Sequence, residues 1–288
     1  MTFDKKKFQS PYSFLFGNIN LRTKTLLIIA LVGLILITIV INSLFINLDN
    51  ITTNFAIKNS QPSFQHPFGT DWMGRDMLSR TMKGLGLSVT IGALASILSV
   101  VISIFLGLLS TLGKYFDYTV NGLTDLFLSI PHILLIMLIS ISLGGGITGI
   151  VVGVSLTHWT SLTRLLRAEI KQINTSTYVK ISKNFGKTKW WIAKHHLLPL
   201  LLPQIVVGTI IVFPHAIMHE ASVTFLGFGL SPHEPAIGVI LAESMKYLSN
   251  GAWWLAFFPG LSLLIIVLLF DVIGDNVQRL LDPTQANE

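Results

Sequence analysis

The sequence predicts an all-α, polytopic membrane protein with six transmembrane helices. Three observations carry this. Apolar residues make up 51% of the 288 residues and charged residues only 12%, against about 25% charged in an ordinary soluble domain. The apolar residues gather into long runs. The basic residues gather between the runs, in two clusters that agree on one orientation.

A membrane span needs about 20 mostly apolar residues. Six runs answer to that, at 25–47, 88–112, 119–143, 147–163, 202–229 and 253–274. The first is too long for a signal-peptide core, and no small-x-small cleavage site follows it, so it reads as an uncleaved span. The fourth is short, and the fifth is long enough to tilt or break. The expected organisation is a cytoplasmic tail at 1–24, the first span at 25–47 and an outer segment at 48–87. A core domain at 88–277 follows, with five spans and a cytoplasmic loop at 164–203, and then a cytoplasmic tail at 278–288.

Cytoplasmic loops collect Lys and Arg. The N-terminal tail carries Lys5, Lys6, Lys7, Arg22 and Lys24 against Asp4. The loop between spans four and five carries Arg164, Arg167, Lys171, Lys180, Lys183, Lys187, Lys189 and Lys194 against Glu169. With six spans both clusters fall inside, and so does the C-terminus. Arg75, Arg80 and Lys83 run against this pattern in the outer segment. The net charge of +6 is thus accounted for by orientation in a lipid bilayer, and no nucleic-acid partner is required. Cysteine is absent, which excludes disulfides, thiolate metal sites and a Cys nucleophile.

The stretch SKNFGKTKWWIAKHHLLP, 182–199, ends a phosphate-loop pattern at Gly186, Lys187 and Thr188. The pattern fails, because its first glycine position holds Ile181 and no buried strand precedes it. Thr175, Ser176 or Thr177 can cap a helix start. Tyr178, Ile181 and Phe185 then share one face, with Lys180, Lys183 and Lys187 off it. Gly186 breaks the helix or admits another backbone. Trp190, Trp191, Ala193 and Leu197 make a second short apolar face, and Pro199 and Pro203 mark the turn into span five. This helix–Gly–helix hairpin either lies on the lipid surface or docks into a groove of a partner protein.

Intramembrane polar residues are costly and usually face protein or water. Glu220, His219, His215 and Ser222 in span five, with His132 and Ser140 in span three, are the candidates for lining a polar pathway. Asp125 and Asp271 lie near expected cytoplasmic ends and read as structural. Pro131 kinks span three next to His132. His215 and His219 share a helix face at a spacing that can hold a metal, but no catalytic metal motif accompanies them and no metal site is assigned. The sequence has no H-E-x-x-H and no G-x-S-x-G, so no catalytic residues are assigned and an intramembrane enzyme is disfavoured.

The stretch YVKISKNFGKTKWWIAKHHLLPLLLP resembles the coupling-loop signature of the permease subunits of ABC importers. Gly186, Ile192, His196 and Pro199 occupy the matching positions. Lys180, Ile181 and Ser182 stand where Glu-Ala-Ala is usual. HPFGTDWMGRDMLSR (66–80), DLFLSIPHILLIMLIS (125–140), EASVTFLGFGLSPHEPAIGVILAES (220–244) and WWLAFFPGLSLLIIVLLFDVIGDNVQRLLDP (253–283) resemble the dipeptide, oligopeptide and nickel branch, in its C-type subunit. The resemblance implies the type I permease fold and a heterodimer with a second permease subunit. It also implies two ATPase subunits and an extracellular or periplasmic substrate-binding protein. Tyr178, Lys180, Ile181, Ser182, Phe185, Gly186, Ile192, His196 and Pro199 would form the ATPase-coupling loop. The chain itself would bind no cofactor, and ATP would be used by the partner subunits. The overall likeness leans toward staphylopine-type importers of nickel, cobalt or zinc chelates, with di- or oligopeptide import as the alternative.

Overall fold

The structure is a computed structural model that describes residues 21–46 and 51–281. Lys5, Lys6 and Lys7, and the C-terminal tail from 282, lie outside the described residues. The described chain is almost wholly helical, with one isolated bridge between Thr70 and Asp76.

Helix α1, Leu21–Phe45, is apolar on every side, as a helix facing lipid should be. Only a narrow stripe through Val32 and Leu36 is buried, in a core with Met77, Leu85, Ile217, Ile240, Trp254 and Ile266. A compact cap follows, built around the short 3₁₀ turn Phe55–Ile57. Helix α2, Met77–Leu109, begins inside the stretch expected to be wholly outer segment. Asp76 starts it by accepting the Ser79 N–H at 2.8 Å, an ordinary N-cap that the sequence reading passed over.

Three basic residues at this end contradict the charge rule for a physical reason. Arg80 Nη1 lies 2.7 Å from Asp71 Oδ2 and its Nη2 lies 2.9 Å from Glu243 Oε2. Arg75 spans the same two carboxylates, at 2.7 and 3.1 Å. Lys83 donates to the Ser43 carbonyl at 3.1 Å, near the C-terminal end of α1. All three are held by partners within the chain, so their charge is structural.

Helix α2 is the centre of the bundle. Its inner side carries Gly92, Ala95, Ser96, Ser99 and Ser103, all buried. Small residues let helix backbones approach, and their hydroxyls bond across the seam. Ser103 Oγ donates to the Trp159 carbonyl at 2.9 Å, and Ser155 Oγ to the Ala95 carbonyl at 3.2 Å. Those partners lie on α5, Gly146–Asn174.

The third expected span does not kink at Pro131 but breaks there. Helix α3, Lys114–Ser129, and helix α4, His132–Ser142, meet at 96°. A proline drives the preceding residue to extended backbone, and Ile130 has φ −98° and ψ 133°. The outer part of α5 packs on α4 through Gly149 and Gly153. A Cβ at those positions would sit 2.9 Å from the Ser140 carbonyl and 3.0 Å from the Ile136 carbonyl.

Helix α5 continues past the expected end of span four, through the basic residues to Asn174. Arg167 holds it to α3, with Nε 3.0 Å from Asp117 Oδ1 and Nη1 2.8 Å from Asn121 Oδ1. Short helices α6, Thr177–Asn184, and α7, Lys189–Ile192, form the hairpin. A π turn at Ala193–Leu197 leads into α8, Leu198–Phe225. Pro199 and Pro203 therefore lie in the helix, not in a turn before it. A proline ring collides with the carbonyl four residues back, and the widened π turn just before Pro199 makes room for it. Helix α9, Ile237–Leu248, lies between the fifth and sixth expected spans, and α10, Trp254–Leu281, closes the bundle.

Among the described residues, four helices are long and apolar enough to cross a membrane, and the bent α3–α4 pair makes a fifth. Six is reached only by counting α5, whose buried face carries Ser155, Thr157, His158, Thr160 and Thr163.

Candidate functional site

The hairpin is built from its base outward. Ile173, Val179, Ile192, Ala193 and Leu197 are buried in one cluster with Leu166, Ile170, Leu201 and Ile205. This anchors α6 and the π turn onto the ends of α5 and α8. Of the second short apolar face expected from Trp190, Trp191, Ala193 and Leu197, Ala193 and Leu197 are buried in this anchor and Trp191 packs against it, while Trp190 is exposed. Lys189 Nζ donates to the Leu112 carbonyl at 2.7 Å, tying α7 to the end of the α2 segment.

Gly186 ends α6. Its φ is +72°, and the Lys187 N–H reaches back to the Ser182 carbonyl at 3.1 Å. This is the glycine stop of a helix, in a conformation that L side chains disfavour. No atom lies within 4 Å of the Cβ position. The chain itself therefore makes no close approach here, and φ alone selects the glycine. Thr188 then caps α7 by accepting the Trp191 N–H at 3.2 Å.

The tip beyond the anchor is apolar and uncovered. Phe185 is 79% exposed and Trp190 67%, and Tyr178 and Ile181 are exposed beside them. Lys180 is exposed as well. Ser182 turns inward and meets His196 Nε2 at 2.8 Å. The His196 ring also lies 5.5 Å from Tyr178 and 5.3 Å from Trp191. Of the nine expected loop residues, Ile192, His196 and Ser182 are thus internal fasteners. Tyr178, Ile181 and Phe185 form the presented face, Gly186 the bend and Pro199 the base.

The pathway candidates separate into two groups. Glu220 is 0% exposed, and its Oε1 accepts from the Thr224 hydroxyl at 3.1 Å. It lies in the packed interior of this chain and lines nothing here. Ser140 donates to the Phe228 carbonyl at 2.9 Å and fastens a loop. Ser222 bonds back to the Met218 carbonyl of its own helix at 2.7 Å. His132 and His219, in contrast, come together, with ring centroids 6.4 Å apart. His215 sits one turn from His219 on α8, exposed.

His158 was missed. Its ring lies 4.9 Å from His219 and 5.6 Å from His132. The signal was present, since a histidine within an apolar run is a candidate by the same rule that selected the others. Asp125 pairs with Arg164 at 2.9 Å, and both are exposed. Asp271 is exposed.

Comparison with known proteins agrees with this architecture. Residues 99–287 match the family described as binding-protein-dependent transport system inner membrane component. The chain is 31% identical over 227 residues to the dipeptide transport system permease protein DppC of Bacillus subtilis, covering 78% of this chain and 71% of that one. It is 30% identical over 261 residues to the oligopeptide transport system permease protein OppC of the same organism, covering 88% and 85%. The probable D,D-dipeptide transport system permease protein DdpC of Escherichia coli is 31% identical over 223 residues, covering 77% and 74%. An inward-facing structure of the MetNI methionine ABC transporter shares the fold, with a TM-score of 0.59 at 20% identity, covering 72% of this chain and 98% of that one. These relatives support the peptide alternative better than the metal-chelate expectation, for which they carry nothing. The chain therefore belongs to the inner-membrane components of binding-protein-dependent transport systems, and is a multi-pass ABC importer permease.

Proposed function

We propose that this chain imports di- or oligopeptides as one of two different permease subunits. The hairpin around Gly186 docks into a separate ATPase subunit, and two such subunits close on binding ATP. Both termini are cytoplasmic, and an extracellular or periplasmic binding protein delivers cargo to the cap side. The chain holds no cofactor of its own.

The observation that carries the coupling role is the contrast within the hairpin. Its base is buried and cross-bonded, while Phe185 and Trp190 stand out uncovered. A rigid stem with an exposed aromatic tip can transmit a push, as a helix laid in a groove does. Support for peptide cargo comes from the relatives named for dipeptide and oligopeptide transport. His132, His215 and His219, with the newly found His158, form this chain's share of the pathway. Glu220 is assigned to packing.

The test is uptake in a strain deleted for this chain. Radiolabelled trialanine and a radiolabelled nickel chelate are supplied separately, with and without the restored chain. Loss of trialanine uptake that the restored chain reverses supports the reading. Unchanged trialanine uptake with lost nickel accumulation overturns the peptide assignment.

A further inference from the structure

The hairpin carries charge of one sign. Between Glu169 and Glu220 the sequence has no acidic residue, and within 177–197 it has Lys180, Lys183, Lys187, Lys189 and Lys194. All five lysines are exposed. Basic residues on α5, just before the hairpin, are matched by acids of α3. Arg164 Nη2 lies 2.9 Å from Asp125 Oδ1, Arg167 Nε 3.0 Å from Asp117 Oδ1 and Lys171 Nζ 3.4 Å from Asp117 Oδ2. The hairpin lysines have no acidic partner among the described residues. Lys189 donates to the Leu112 carbonyl at 2.7 Å, Lys183 reaches Asn174 Oδ1 at 3.5 Å, and Lys187 stands 4.9 Å from the centroid of the Trp191 ring. Each of those partners is neutral, so the charge of the hairpin is left uncompensated.

Lys180 and Lys183 are three residues apart on α6, a spacing that makes side chains neighbours, and like charges there destabilise a helix. The inward bias of basic residues accounts for the side of the membrane on which these lysines lie. It does not account for their arrangement. Tyr178, Ile181 and Phe185 form an exposed apolar stripe, and Lys180, Lys183 and Lys187 border it. An apolar centre with a polar rim is the layout of a protein interface. A lipid surface fits less well. Binding there scales with the apolar area buried, and α6 and α7 are only eight and four residues long. Their buried base also holds them to α5 and α8, so they are not free to lie flat.

We propose that the groove receiving this hairpin is acidic, with carboxylates of the ATPase subunit facing Lys180, Lys183 and Lys187 around an apolar floor for Phe185. This rests on the reading that the hairpin docks into an ATPase subunit, and it gives that partner a charge. Complementary rims of this kind speed encounter and turn away partners of like charge. An ATPase with a basic rim is therefore refused by this chain.

The test follows release of the ATPase subunits from the complete purified importer on dilution. The importer is held in nanodiscs of phosphatidylcholine or of phosphatidylcholine with phosphatidylglycerol. Raising salt from about 0.1 M to about 1 M cuts the screening length from about 10 Å to about 3 Å. It is expected to speed wild-type release about tenfold. The Lys180→Gln/Lys183→Gln/Lys187→Gln variant is expected to release at the faster rate already in low salt, and to respond little to more. The corresponding triple Glu variant should release faster still, and in both kinds of disc. Should the Glu variant fail to assemble, the Gln variant carries the test. Phe185→Ser is the reference for docking itself and should speed release at every salt concentration. Wild-type behaviour of the lysine variants, with Phe185→Ser impaired, would overturn the acidic groove and leave docking standing. Lysine effects confined to the phosphatidylglycerol discs would overturn it in favour of lipid headgroups. Wild-type release from all the variants, Phe185→Ser included, would overturn docking as well.

Discussion

The Ser182 hydroxyl lies 2.8 Å from His196 Nε2, across the hairpin that Gly186 turns. Ser182 stands at the last position of the departed Glu-Ala-Ala triad, and His196 at a matched position of the signature. The serine that stands where Ala is usual thus adds a fastening of α6 to the π turn. One such hydrogen bond contributes about 1 kcal/mol. Ser182→Ala is expected to leave membrane levels unchanged and to raise hydrogen exchange across 177–197. Transport should fall severalfold. Unaltered exchange in that segment would show that the bond does not hold the hairpin.

Gly186 yields a graded prediction. Its constraint is φ, with open space around the Cβ position. A left-handed backbone costs a non-glycine residue about 1–2 kcal/mol, and asparagine less than most. Gly186→Asn should retain more transport than Gly186→Ala, and Gly186→Val should retain least. Equal loss in all three, measured as initial uptake rates at matched protein levels, would place the constraint in an outside contact.

The buried charges at the cap make the largest stability prediction. Arg80 and Asp71 are nearly fully buried and share Arg75 and Glu243 as neighbours. Removing one partner of a buried pair strands the other, at a cost of about 3–5 kcal/mol. Arg80→Ala should lower the midpoint of thermal unfolding more than Arg75→Ala, because Arg75 is more exposed. Arg80→Lys should not restore it, since a single ammonium cannot span both carboxylates as the guanidinium fork does. A lysine variant as stable as wild type would refute the bridging role.

Topology is testable because the chain has no cysteine. A cysteine at Lys187 is expected to react with impermeant reagent only from the cytoplasm, and one at Ser63 only from outside. Reaction of both from one side would reverse or remove a span.

How far the sequence could be read depended on what surrounds each element. Helices α1 and α10 are apolar over more than twenty residues, so composition alone finds them. Helix α9 is only twelve residues long and lies between Pro235 and Gly251, where breakers suggest loop. Its existence depends on packing against α8 and α10, which no local signal encodes. The proline at 131 was legible, but the 96° bend was not. It follows from extended Ile130 together with the Arg167–Asp117 tie across α3 and α5. Gly186 and the exposed Tyr178, Ile181 and Phe185 were legible, because helical spacing and a stop residue are local. The setting of Glu220 was not legible for the opposite reason. A lone intramembrane acid signals a polar environment, and sequence cannot say whether that environment is a path or a packed hydroxyl such as Thr224.

The docking of the hairpin is tested most directly by a photo-reactive phenylalanine analogue at Phe185 in the assembled importer. The account predicts a cross-link to a separate ATPase subunit, weakened when Gly186 is replaced by valine. A probe at Phe185 that cross-links only to lipid, in both backgrounds, would contradict it.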